Sequence, residues 1–314
     1  MSTYIRRIMP LPVALVVAGS LGVGEVSSQL PRQGLLSLDD ARLFYEVVGS
    51  GDPIIVVHGG PGLDHSYLQP GLNVLARSNT LVYYDQRGTG RSTAALEPGV
   101  INMDAFVADI DALRQTLGYE RVDVLGHSFG TRIALEYAAR HPENVRALIL
   151  MNPVEPGTRF TEQQAARQRA ARSVEDSTEL ATLTGSEGFA ARDRGTVSQV
   201  YRVLFRQTLR DRNRIAELDL DLAEATAKNG PDVARLLGES MGTGDWWDRL
   251  AEISSPTLVL HGRYDVAPLP MSEALARVLP LGRAVVLESG HFPYMEDPDG
   301  LLSAISAFQV DLSR

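Results

Sequence analysis

Val122-Asp123-Val124-Leu125-Gly126-His127-Ser128-Phe129-Gly130 joins a short apolar run to a serine flanked by glycines. Residues 122–125 read as a strand, and residues 128–140 read as a helix closed by His141-Pro142. Gly-x-Ser-x-Gly alone recurs by chance. Set between a strand and a helix, it describes a sharp turn that lifts a hydroxyl above the sheet, at the positive end of the helix dipole. A helix-capping serine beside turn glycines is the bland alternative, and the rest of the chain argues against it.

Outward from this turn, strand and helix alternate. Residues 54–57, 80–84 and 146–151 are apolar runs, and residues 104–117 carry Phe106, Val107, Ile110, Leu113 and Leu117 at helical spacing. Continuous rather than alternating apolar runs predict strands buried on both faces, hence a mostly parallel sheet with helices on both sides, an α/β fold. Residues 35–38 and 43–48, around Asp39-Asp40, predict a leading β-hairpin. After Pro153 the rhythm stops. Residues 154–245 contain no strand pattern and predict helices over 162–173, 198–209, 212–228 and 231–239, with Gly242-Thr243-Gly244 as a hinge. Strand and helix return over 257–261, 272–279, 284–288 and from 299. The expected organisation is a core of residues 29–153 and 246–314 with a helical cap, 154–245, inserted into it.

A serine hydroxyl needs a base to become a nucleophile. Six histidines are available, at 58, 65, 127, 141, 261 and 291. His127 should point away from its neighbour Ser128, His58 sits in a turn, His261 ends a strand, His141 ends a helix, and His65 has no evident role. His291, in Ser289-Gly290-His291-Phe292 beyond a late strand, is the expected general base. Asp265, in the loop after residues 257–261, is the expected carboxylate that fixes its tautomer, with Glu155 as a rival. The chain order Ser128, Asp265, His291 is the one this strand–turn–helix serine requires. The backbone N–H groups of Phe129 and of Gly60, in His58-Gly59-Gly60-Pro61-Gly62, are the expected oxyanion donors.

Composition narrows the chemistry further. With 314 residues, a net charge of −9 and no Gly-x-x-x-x-Gly-Lys-Ser/Thr loop, neither nucleic acid nor nucleotide is an expected partner. The absence of cysteine excludes thiolate metal sites and a cysteine nucleophile. Acyl transfer of this kind calls for no metal and no cofactor. Residues 1–28 read as a secretory signal peptide: Arg6-Arg7, an apolar stretch to Gly24, then small residues at Val26-Ser27-Ser28. The protein is therefore expected to be exported, periplasmic or secreted, with no further membrane span.

Asp85-Gln86-Arg87-Gly88-Thr89-Gly90-Arg91-Ser92 and His261-Gly262-Arg263-Tyr264-Asp265 join His58-Gly59-Gly60-Pro61-Gly62 in one ordered set. As a set, with Val107-Ala108-Asp109-Ile110-Asp111-Ala112-Leu113-Arg114, they resemble the proline iminopeptidases of the α/β-hydrolase superfamily. The elbow departs from that pattern, with His127 and Phe129 where those enzymes usually have Gly and Trp. The resemblance implies an aminopeptidase releasing an N-terminal proline or a related small residue from a short peptide. It also implies cap acids that hold the substrate's amino terminus, for which Glu155, Glu217, Asp219, Asp221 and Glu224 are the available counterparts. A carboxylesterase or amidase on small-molecule substrates shares the same elbow. A non-catalytic binding protein on the scaffold would have no need of three catalytic groups. Haloalkane dehalogenases and epoxide hydrolases place Asp at the position of Ser128.

Overall fold

The computed structural model describes residues 32–242 and 244–312. The signal-peptide reading of residues 1–28, and Thr243 of the expected hinge, lie outside the described residues. Nine strands form one sheet: β1 (Arg32–Ser37), β2 (Ala41–Gly49), β3 (Asp52–Val57), β4 (Asn79–Tyr84), β5 (Thr93–Ala94), β6 (Val122–His127), β7 (Val145–Met151), β8 (Thr257–Gly262) and β9 (Gly282–Leu287). Their order is β1-β2-β4-β3-β6-β7-β8-β9, with β5 paired to β2. β1, β2 and β5 make antiparallel pairings, as the hairpin pattern predicts, and every pairing from β4 to β9 is parallel.

The helices are α1 (Gln69–Leu72), α2 (Met103–Thr116), α3 (Gly130–Arg140), α4 (Thr161–Ala171), α5 (Val174–Thr184), α6 (Glu187–Ala190), α7 (Arg194–Arg206), α8 (Glu224–Ser240), α9 (Leu269–Val278), α10 (Pro293–Glu296) and α11 (Pro298–Leu312). The parallel strands are mostly apolar because alternate residues feed two different cores. Ile55, Val57, Val124 and Leu148 pack with Ile110 of α2, Ile133 of α3 and Leu275 of α9. Ile54, Val56, Leu125 and Ile149 pack on the other face with Leu301, Ile305 and Phe308 of α11. Two covered faces are what buries the sheet and leaves its strand ends as the place where loops converge. None of the helices described is long and apolar enough to cross a membrane.

Between β7 and β8 the described residues form helices and no strand, as expected, but the helix bounds differ. Residues 212–228 are not one helix. Arg212–Glu217 is a 3-10 turn, extended chain follows, and α8 then runs from Glu224 through Pro231 to Ser240. The expected gap between 228 and 231 is absent: α8 passes through Pro231, tolerating one missing N–H, with Val233, Leu236 and Leu237 buried beyond the proline. α5 lacked an apolar stripe and was not foreseen. It begins with a capping box in which Ser173 and Asp176 satisfy each other's backbone N–H groups.

Candidate active site

β6 ends at His127 and α3 begins at Gly130, so Ser128 takes the whole change of direction and adopts φ 53°. A side chain in that left-handed region is strained and persists only where its surroundings hold it. Ser128 N–H donates to the Met151 carbonyl at 3.0 Å, and the Ser128 carbonyl accepts from Thr131 N–H at 3.0 Å and Thr131 Oγ1 at 2.6 Å. Gly130 is required by close approach: a Cβ there would run into the Val57 carbonyl. The Phe129 and Gly60 N–H groups have no hydrogen-bond partner among the described residues, whereas Gly59 N–H donates to Tyr67 Oη at 2.7 Å.

The loops after β8 and β9 bring Asp265 and His291 together. They touch at Gly262, where a Cβ would meet the Gly290 carbonyl. His291 Nδ1 stands 2.8 Å from Asp265 Oδ2, and the Asp265 side chain is fully buried. Asn152 Nδ2 donates to the same oxygen at 2.6 Å and to the Gly290 carbonyl at 3.1 Å, while Ala267 N–H donates to Oδ1 at 3.2 Å. Burial alone would push the Asp265 carboxyl up. The adjacent His291 and the hydrogen bonds from His291 and Asn152 outweigh it and hold the group down, at about 2. An ionised acceptor beside Nδ1 favours the His291 tautomer that carries its proton on Nδ1, which leaves the Nε2 lone pair free. Ser128, Asp265 and His291 all line one cavity of about 250 Å³.

Around them the cavity wall is Pro153, Val154, Leu204 and Phe205 on the apolar side, and Gln164, Gln168, Arg172, Gln207 and Thr208 on the polar side. Gln164 and Gln168 come from α4 and Leu204 and Phe205 from α7, with Arg172 and Gln207 at the C-caps of those helices. Arg167 of α4 also donates to the Asp265 and Val266 carbonyls, at 2.6 and 3.3 Å, tying the insertion to the acid loop. The cap acids named from the sequence do not line this cavity. Glu155 accepts from Phe160 N–H at 2.7 Å, Glu217 pairs with Arg214, Glu224 pairs with Lys228, Asp221 pairs with Arg194, and Asp219 accepts from Asp221 N–H.

Two functional residues escaped the sequence reading. Asn152 adopts φ 49°, and an Asn between a strand and Pro153 is the available signal for it. His127 does point away from the cavity, but into a relay. Gly59 N–H donates to Tyr67 Oη, the Tyr67 hydroxyl donates to His127 Nδ1 at 2.8 Å, and His127 Nε2–H donates to the His291 carbonyl at 2.9 Å. Burial, with His291 beside it, lowers the His127 ring to about 3, so it is neutral. Burial raises Tyr67, so its hydroxyl keeps the proton it donates.

The remaining histidines are structural. His58 Nε2 accepts from Gln86 N–H at 3.1 Å, His65 Nδ1 lies 2.6 Å from Asp85, His261 Nδ1 lies 2.9 Å from Ser272 Oγ, and His141 caps α3. The Asp85–Ser92 segment is thus scaffolding. Its Arg87 makes a bidentate pair with buried Asp109 of α2, at 2.8 Å for both bonds, and Gln86 holds the turn at His58.

The family model described as alpha/beta hydrolase fold matches residues 52–298. A proline iminopeptidase of Heyndrickxia coagulans is 29% identical over 288 residues, 88% of this chain and 98% of the relative. The crystal structure of a proline iminopeptidase-related protein from Thermus thermophilus superposes with a TM-score of 0.65 at 28% identity, covering 90% of this chain and 99% of that one. A thermophilic esterase from Thermogutta terrifontis gives a TM-score of 0.66 at 25% identity over the same shares.

Proposed function

Because the chain belongs to the α/β-hydrolase family, we propose that this hydrolase works as a serine enzyme, cleaving small carboxylic esters or amides through an acyl-enzyme on Ser128. The observation that carries this reading is the 2.8 Å contact of His291 Nδ1 with a buried, ionised Asp265, facing the cavity that Ser128 also lines. Ser128 Oγ attacks the substrate carbonyl as its proton passes to His291 Nε2. The developing oxyanion is received by the N–H groups of Phe129 and Gly60, both without a protein partner among the described residues. Loss of one such donor costs about 3–4 kcal/mol of transition-state stabilisation. His291 returns the proton to the leaving group, then activates the water that releases the acid. The inserted segment, residues 154–245, serves as a cap that supplies much of the substrate wall.

Two substrate classes share this chemistry. Esterase action is favoured by the cavity wall, where Gln164, Gln168 and Gln207 stand in place of the carboxylates that a free amino terminus would require. Release of an N-terminal proline or small residue is favoured by the proline iminopeptidase relative matched over 88% of this chain. The pattern of residues 6–28 supports export, and the N-terminal sequence of the mature protein checks it. The test of the function compares short p-nitrophenyl esters with prolyl p-nitroanilide. Ester turnover that disappears in Ser128→Ala supports the leading reading. Turnover of the anilide alone replaces it with the peptidase reading, and activity surviving in Ser128→Ala removes both.

A further inference from the structure

Arg172, the C-cap of α4, lines the cavity with Ser128 and also two shallower grooves along α4 and α5. Its side chain is exposed, with Nε donating to Gln207 Oε1, also on the cavity wall, at 3.3 Å. That neutral partner leaves the charge uncompensated: among the described residues no carboxylate comes within ion-pair distance of Arg172. Of the acids that follow on α5, Glu175 lies outside ion-pair distance and the other two are engaged. Asp176 is shared between Arg206 and Arg212, and Glu179 pairs with Arg206. Asp265, the one acid on the cavity wall, is turned to His291. The outer groove adds Arg169 and no acid. In a protein of net charge −9, the entrance to the serine is therefore locally cationic.

We propose that Arg172 selects substrates by receiving a carboxylate on the portion of the molecule furthest from the scissile carbonyl. The substrate class is a monoester or monoamide of a short dicarboxylic acid, or a comparably small acyl compound that carries an anion. A guanidinium suits that task because its fork of donors matches the two oxygens of a carboxylate. A cavity of about 250 Å³ favours a short acyl chain, since it falls just below the usual range for small-molecule pockets. The same charge disfavours a substrate bearing a free ammonium. The proposal rests on the acyl-enzyme reading of the cavity for its chemistry, though not for its binding step.

Two measurements separate the two claims. The first is kcat/KM for mono-p-nitrophenyl glutarate against p-nitrophenyl butyrate, in the wild-type chain and in Arg172→Gln. The ratio is the readout, because a loss common to both esters leaves it untouched. The wild type should prefer the glutarate monoester by about 10-fold or more, the preference should shrink as salt is raised, and Arg172→Gln should abolish it. The second is calorimetric binding of glutarate itself, which needs no catalysis. Wild type should bind, and Arg172→Gln should bind at least about 10-fold more weakly. An unchanged ester ratio in the variant, or equal glutarate affinity in both proteins, overturns the role of Arg172. Glutarate binding that depends on Arg172, in a protein that cleaves no ester and no anilide, would retain Arg172 and remove the acyl-enzyme reading instead.

Discussion

The Tyr67 hydroxyl meets His127 Nδ1 at 2.8 Å, and through that contact three parts of the site become one hydrogen-bonded unit. Tyr67 accepts from Gly59, next to the oxyanion turn; His127 precedes the serine and donates to the backbone of His291. The Gly59–Gly60 turn, the Ser128 elbow and the His291 backbone are thereby joined by two side chains that do not line the cavity.

Tyr67→Phe removes the centre of that unit and leaves the Gly59 N–H and the His127 ring nitrogen buried without partners. The expected result is a loss of about 1–3 kcal/mol in denaturant unfolding. With it should come a fall in kcat larger than any change in KM, read on one ester under saturating conditions.

His127 gives the relay a pH dependence of definite sign. Its folded-state value, about 3, lies below the ordinary histidine value of 6.5, so the unfolded chain takes up the proton first as pH falls. Stability is complete above about pH 6.5 and declines toward pH 3, by at most on the order of 5 kcal/mol from this one group. His127→Gln should flatten that acid limb in a series of thermal melts between pH 7 and 4. Parallel curves for the two proteins would show that the ring does not titrate as its burial requires.

Asp265→Asn keeps the shape of the acid and loses its charge. The amide then favours the wrong His291 tautomer, and kcat should fall by roughly 10⁴ with the fold intact by circular dichroism. The stabilising effect of Asp265 has the opposite origin to that of His127. Its depressed value of about 2 contributes stability above pH 4, lost as pH falls through 2, and the Asn variant should lack that component.

Arg87 and Asp109 form a buried pair that does not line the Ser128 cavity. Arg87→Met alone should cost about 3–5 kcal/mol, because it leaves a carboxylate buried and unpaired. Adding Asp109→Leu should restore most of the loss, as measured by urea unfolding of the single and double variants. A single variant as stable as wild type would show the pair to be ornamental.

Much of this was written in local sequence. The strand–serine–helix turn, the parallel core strands and the chain order of Ser128, Asp265 and His291 follow from periodicity and spacing, which are properties of neighbours along the chain. What escaped depends on partners brought together by the fold. Tyr67 and His127 are 60 residues apart, and Asn152 and Asp265 are 113 apart. Nothing in either member of those pairs names the other. The helices expected over 212–228 and 231–239 are joined differently for a related reason, since the packing of α8 outweighs the local cost of the N–H that Pro231 lacks. The cap acids were drawn from a resemblance, and each turned out to have a nearby basic or backbone partner, as exposed carboxylates commonly do.

The most direct test of Ser128 as an activated nucleophile is peptide mapping of the protein after treatment with a fluorophosphonate. The expected result is a single phosphonyl adduct on the peptide containing Ser128, formed at a rate that collapses in His291→Ala and Asp265→Asn. An unmodified Ser128 in folded protein, or an adduct whose rate ignores His291, would contradict it.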